Sequence, residues 1–347
     1  MNIRRLYLDV SPGERRAVVT LDGRPERLLI ERDGDIVSQA LGARLVGRVR
    51  AVNRAQNLAF VDLGEGPAAV LNFNPGRERP TEGQALEVEI RAEARGDKGA
   101  ALRLIGLAEG SPRLLEAAPA IAARLQAFAG AADIVTSDVA RATADRAQDE
   151  ALASIHRVGA GASIAIETTR ALVAIDVDLG QGDGAEAKRA ARAANLGALG
   201  VAARVLRLKG LGGLIAIDLV GRGHDAPAIL TAARNAFAPD NPGVAFAPVS
   251  RFGVLELTVP RRARPTIEVL ADETGTVTAL TVALSLVRAV EREATADGGG
   301  RFQALAAPDV TGAAGPAMAQ LRERIGDRVV LRADPARARD DFQVAPL

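Results

Sequence analysis

The chain has no cysteine, no tryptophan, one tyrosine and two histidines among its 347 residues. Without cysteine there can be no disulfide, no thiolate zinc site and no cysteine nucleophile. His156 and His224 leave little room for a Ser-His-Asp triad or a multi-histidine metal centre. No run of about 18 apolar residues occurs, so no membrane span is expected. The opening MNIRRLYLDVSPGERRA lacks the apolar core of a signal peptide, and cytoplasmic residence is the default expectation. What is plentiful is apolar and charged surface, 48% and 25% of residues, as in a packed globular protein. The net charge is +1, carried on the positive side mainly by arginine. A near-zero total leaves local patches free to steer nucleic acid. Any chemistry therefore falls to carboxylates and arginines.

Residues 2–34 read as short strands broken by Gly and Pro, with a hairpin through Asp22-Gly23. Residues 41–105 give five short strands over about 65 residues, which suits a small closed barrel such as an OB-fold. RLLEAAPAIAARLQAFAG predicts a helix ending at Gly130, followed by a short strand in ADIVTSD and a helical or mixed segment to Val158. Residues 163–259 read as a layered α/β unit with mixed strand pairings. SIAIETT and ALVAIDVDL form a hairpin there, a long Ala-rich helix stops at Gly210, and LGGLIAIDLV is a very apolar strand. GVAFAPVS and GVLELTVP are further strands. A helix is expected over 277–296, then a weak βαβ pattern in which RFQALAAP and DRVVLRAD flank AMAQLRERI. RARDDFQVAPL reads as loose or edge structure.

LVAIDVDLG places Asp176 and Asp178 inside an otherwise apolar strand, where carboxylates are costly unless something compensates them. Strand alternation puts Asp176 and Asp178 on one face, about 7 Å apart at the backbone. Asp218 sits near the end of the next long strand in the same I-D setting. Three carboxylates at neighbouring strand ends make an oxygen-rich site for a hard cation such as Mg2+. Aspartates at strand ends also close turns and cap helices, which is the blander reading. In the barrel, Phe60 could stack a base and Lys98, between Gly96 and Gly99, could hold phosphate. From spacing alone, Phe60 is more simply core and Lys98 a solvated loop charge. Arg251, Arg261, Arg262 and Arg264 suit phosphate binding and surface solubility equally well. His156 and His224 read as incidental, and the loop of Gly182 and Gly184 as a flexible turn rather than a phosphate-binding motif.

Together these stretches resemble the bacterial ribonuclease E/G family. LVGRVRAVNRAQNLAFVDLGEG and EGQALEVEIRAEARGDKGAALRLIG are similar to the two ends of its RNA-binding barrel. SIAIETTRALVAIDVDLGQG, NLGALGVAARVLRLKGLGGLIAIDLV and VSRFGVLELT are similar, in order and spacing, to its catalytic subdomain. The resemblance implies a multidomain α+β/α/β chain. An RNase H-like subdomain (1–38 plus 108–158) would hold an inserted S1-type OB barrel (39–107). A DNase I-like catalytic subdomain (159–276) and a helix with a small C-terminal βαβ domain (277–347) would follow. It also implies an Mg2+-dependent endoribonuclease, with Mn2+ as a stand-in, acting on single-stranded RNA in RNA processing and leaving a 5′-phosphate and a 3′-hydroxyl. The family's metal-binding aspartates fall on Asp176 and Asp218. Asp178 stands where the family has an asparagine and adds negative charge beside the ion. The barrel's RNA-contacting residues fall on Phe60 and Lys98, and Arg251 matches an arginine of the catalytic surface. Val70 replaces a second barrel aromatic, which weakens stacking.

Two larger departures stand out. The family's insert that senses a 5′-monophosphate has no counterpart between the barrel and the catalytic strands. The cysteines of its zinc link, due near 271–279, are missing. A homodimer would then need contacts other than zinc, for instance through the C-terminal segment. The rival reading is an RNA-binding protein on the same fold that no longer cuts. A scaffold role is weaker, because the chain has no long disordered arm.

Overall fold

The computed structural model describes residues 3–74, 76, 79–96, 98–129, 132–179 and 185–347. β1 (Arg4–Ser11), β2 (Glu14–Leu21) and β3 (Arg24–Arg32) form an antiparallel meander. Asp22 and Gly23, with φ of 49° and 78°, make the two-residue turn between β2 and β3. Positive φ at both central positions matches the right-handed strand twist, which is why Asp-Gly marks the hairpin in the sequence.

The chain then winds a barrel from β4 (Arg44–Asn53), β5 (Leu58–Asp62), β6 (Ala69–Asn72), β7 (Ala85–Ala92) and β8 (Ala101–Leu107). β4 pairs with both β5 and β7, and β6 runs parallel to β8, so the ring closes in the order β4-β5-β6-β8-β7. Alternate residues such as Leu45, Val61, Leu71, Val88 and Ile90 point into its core. β9 (Arg113–Glu116) adds to β4 from outside.

The helix expected over 113–130 is mostly absent. Its first four residues are β9, and only α1 (Ile121–Gln126) is helical. Leu114 pairs with Leu45 across β4, and Pro119 disfavours a helical conformation in the residue before it. Gly130 lies outside the described residues. β10 (Ile134–Val135) runs parallel to β1, and α2 (Asp138–Leu152) packs on the meander through Ala140, Ala144, Ala147 and Ala151. The first sheet thus gathers residues from both sides of the barrel, in the order β10-β1-β2-β3.

β11 (Ile155–Gly159), β12 (Ala162–Thr168) and β13 (Val173–Asp178) lead into α3 (Ala185–Lys209). β14 (Gly213–Asp218), α4 (Ala226–Phe237), β15 (Ala245–Phe246) and β16 (Val254–Val259) follow. Their six-stranded sheet has the order β11-β12-β13-β14-β16-β15 and mixes parallel and antiparallel pairs. β11 therefore belongs to this sheet, on the far side of a boundary expected at 158. Only Ala245–Phe246 of the stretch GVAFAPVS is strand. The sheet has one covered face. Ile164, Ile175, Val177, Ile215, Ile217 and Leu257 pack on α3 and α4, where small residues such as Ala198, Ala202 and Ala233 let the helices approach closely. The alternating residues of the other face stay open, which frees them for function. The loop of Gly182 and Gly184 lies outside the described residues.

After α5 (Thr266–Leu270) and α6 (Ala279–Ala296), β17 (Phe302–Ala306), α7 (Pro308–Ile325) and β18 (Val329–Ala333) form a parallel βαβ unit. β19 (Phe342–Pro346) is its antiparallel edge. Where zinc-linking cysteines were due, Asp272 Oδ1 instead accepts from the backbone amides of Thr274 (2.9 Å) and Thr276 (3.1 Å) in a tight turn. A buried ionic network joins the parts. Arg16 reaches Asp9 (2.6 Å) and Asp145 (2.8 Å), while Glu14 takes Arg32 (2.9 Å) and Arg288 of α6 (2.6 Å). Burial and the neighbouring Arg16 pull the Arg288 guanidinium down to about 10.

Candidate functional site

β13 and β14 run parallel in a register that sets Asp176 beside Asp218. Parallel neighbours lie about 4.8 Å apart, so both carboxylates occupy one spot on the open face. Asp178 lies two residues on along β13, on the same face, and is also exposed. The three predicted acids are thus brought to one end of one sheet. They are not drawn into a closed cluster, and among the described residues no three His, Asp or Glu groups converge as a ready-made ion cage. An in-register aspartate pair with open solvent beside it fits Mg2+, which takes one or two carboxylates and keeps waters for substrate phosphate to displace. Asp225, nearby in sequence, is already engaged. It caps α4 at the Ala228 amide (3.2 Å) and meets Arg192 (3.1 Å). Those two contacts hold its carboxyl below the usual range.

The strand ends are fixed by residues that sequence reasoning passed over. Asn195 of α3 is buried and clamps the residue two beyond Asp218. Its Nδ2 donates to Val220 O (2.9 Å) and its Oδ1 accepts from Val220 N (3.0 Å). The amide of Leu219 donates to Gly253 O (3.1 Å), which docks the 250–253 loop against the end of β14. Arg251 is carried by this loop, with its guanidinium 4.7 Å from the Phe252 ring centre. His224, read as incidental, packs on this loop: a Cβ on Gly253 would lie 2.7 Å from its Nε2. His156 is buried on β11, and burial with Lys209 nearby pushes its imidazole below the usual range. Arg157 stands on the open face in the same row as Ser163 and Asp178. None of these four had a spacing signature, because each owes its position to tertiary pairing.

The barrel residues come together in a separate groove of about 520 Å³. Phe60 and Lys98 line it with Val70, Arg95, Arg261 and Arg262. Phe60 sits directly across from Val70 on β6 and is partly exposed, so it is not core. Lys98 is carried by a tight hairpin in which its amide and the Arg95 amide exchange bonds of 2.9 Å. The groove's acid is engaged by backbone amides. Glu93 accepts from the amides of Leu41 (3.0 Å) and Arg264 (2.8 Å). Its own amide donates to Arg262 O (2.8 Å), which ties the barrel to the chain leaving β16. Arg261 donates to Gly212 O (2.7 Å), and burial together with Arg95 lowers its pKa. Of the four clustered arginines, Arg261 and Arg262 line this groove, while Arg251 packs on Phe252 in the 250–253 loop.

The sequence model of the ribonuclease E/G family matches residues 115–262, the stretch that carries Asp176, Asp178, Asp218 and Arg251. Ribonuclease E of Haemophilus influenzae is 35% identical over 108 residues, 30% of this chain and 12% of that protein. Ribonuclease E of Escherichia coli is 34% identical over 149 residues, covering 40% and 14%. A chloroplastic ribonuclease E/G-like protein of Arabidopsis thaliana is 32% identical over 139 residues, covering 37% and 14%. The matched stretches are thus about an eighth of these relatives' length. No helix among the described residues is long and apolar enough to cross a membrane. The strands and helices that hold the acidic pair thus lie within the stretch, 115–262, that matches the ribonuclease E/G family.

Proposed function

We propose that the protein is an Mg2+-dependent endoribonuclease that cuts single-stranded RNA and leaves a 5′-phosphate and a 3′-hydroxyl. The observation that carries this reading is the in-register pair Asp176 and Asp218 on the open face of the sheet, beside the Arg251 loop. Two like charges about 5 Å apart are a cost without a cation between them. Asp176 and Asp218 would hold Mg2+, or Mn2+ in its place, which when bound would supply an activated water and offset charge developing on the scissile phosphate. Asp178, on the same face, would assist them as a further ligand or as a hydrogen-bond acceptor beside the ion. Arg251 holds a neighbouring phosphate. Phe60 stacks a base and Lys98 pairs with phosphate in the groove, keeping the strand over the acids. The closed barrel with one parallel pair suits an S1-type OB-fold, the bipartite first sheet an RNase H-like subdomain, and the six-stranded unit a DNase I-like one.

Asp176→Ala tests the reading. It should abolish cleavage while leaving folding and most RNA binding intact, and retained cleavage would remove the assignment. The rival reading, RNA binding without cutting, draws on the open arrangement of the three acids. Wild-type binding with no Mg2+-dependent cleavage would favour it.

A further inference from the structure

Phe252 is 75% exposed, against 38% for Phe60, in a chain with only eight Phe and one Tyr. Leaving a phenyl ring in water forgoes a burial gain of about 2 kcal/mol, so a ring held out this far calls for an occupant. The loop that presents it is built rather than loose. Ser250 Oγ accepts from the amides of Phe252 (3.3 Å) and Val254 (3.2 Å). The Ser250 amide donates to Val254 O (2.9 Å), and the Gly253 amide to Ser250 O (3.0 Å). Gly253 adopts φ of 87° with His224 packed where a Cβ would be, so a side chain at 253 is excluded twice over. The loop's far side is anchored to Leu219, the residue after Asp218, and Val254 pairs directly with Asp218. Phe252 is thus two residues from the cross-strand partner of a candidate metal ligand, at most about 7 Å along the chain.

We infer that Phe252 is a stacking platform for an unpaired base next to the scissile phosphate. Arg251, already packed against the ring, adds its cation to the stack and to the adjoining phosphate. A π-face accepts any base, so the platform contributes little sequence preference. It does require a base free of its duplex partner, and so selects single strands at the point of cutting. This rests on the endoribonuclease reading for the word scissile, but the stacking itself does not need cleavage.

The test uses the full chain as the Asp218→Asn variant, which should bind without cutting. Ten-nucleotide single-stranded RNAs of A and U carry one 2-aminopurine, moved through each position. One position besides that quenched by Phe60 should lose fluorescence on binding. Adding Phe252→Ala should abolish that quench alone, and Phe252→Trp should restore it. In the cleaving protein, Phe252→Ala should lower kcat/KM about ten-fold or more with an unchanged melting temperature, since the ring is exposed. A quench pattern identical with and without the Phe252 ring overturns the platform and assigns the exposed ring to another partner. Loss of the quench on Phe252→Ala, where the protein with Asp218 intact cuts no RNA in Mg2+, upholds the platform and overturns the nuclease reading instead.

Discussion

Replacing Asp218 by Asn should make the protein more stable in EDTA and less active in Mg2+. The register of β13 and β14 sets the Asp176 and Asp218 backbones about 4.8 Å apart. Two unit charges at about 5 Å repel by roughly 0.8 kcal/mol in water and about 3 kcal/mol at an effective dielectric of 20. Both side chains are exposed and salt screens them, so the lower part of that range applies, about 1 kcal/mol. Asn keeps the shape and removes the repulsion. Differential scanning fluorimetry in EDTA should show the variant melting roughly 2 °C higher than wild type. Titrating Mg2+ should then raise the wild-type midpoint and leave the variant's unchanged, because only the acid pair binds the ion. Cleavage should fall about a thousandfold, the several kcal/mol that a metal ion supplies to such a reaction. A variant that melts lower in EDTA yet keeps the full Mg2+ shift would refute the reasoning, because the pair would then be neither strained nor metal-binding.

Phe60→Ala removes a partly exposed ring worth roughly 1–3 kcal/mol of stacking, so RNA affinity should fall about ten- to a hundredfold with little change in melting; fluorescence anisotropy would check this. In Gly99→Ala the added Cβ would sit 1.9 Å from Ala68 O, so the variant should destabilise the barrel by about 1–3 kcal/mol and displace Lys98, seen as a lower denaturant midpoint together with weaker RNA binding. Lys209 donates to the carbonyls of Ala151 (2.8 Å) and Ala153 (2.5 Å), and burial pulls its pKa from 10.5 to about 8. Between those two pH values the unfolded chain binds the extra proton, so stability should rise with pH through that window by on the order of 1–3 kcal/mol. Lys209→Met should lack that rise. His156 is also depressed by burial, so stability should fall as pH drops below about 6.5, and His156→Gln should flatten the loss.

Much of the architecture was legible because it is local. Asp22-Gly23 can serve few roles besides a tight turn, and the alternation in AIDVD declares both the buried Ile175 and Val177 and the outward Asp176 and Asp178. The acidic pair followed, since each aspartate ends an apolar strand. The misread stretch 113–130 shows the limit. Leu114, Leu115 and the alanines beyond them have a helical composition, but pairing with β4, a contact 69 residues away in sequence at Leu45, decides the conformation. The same holds at the site. Asn195, His224 and Phe252 are ordinary residues in the sequence and gain meaning only when α3, the 219–225 loop and the 250–253 loop meet at the end of β14. The Arg261 and Arg262 side chains were equally ambiguous until the barrel closed against them.

The central claim is that Asp176 and Asp218 hold a catalytic cation. It is tested most directly by incubating a 5′-labelled single-stranded AU-rich RNA with wild type and Asp218→Ala, each in Mg2+ and in EDTA. The account predicts internal cuts with 3′-hydroxyl ends on the labelled fragments in one of the four reactions, wild type with Mg2+. Cutting by Asp218→Ala, or cutting by wild type in EDTA, would contradict it.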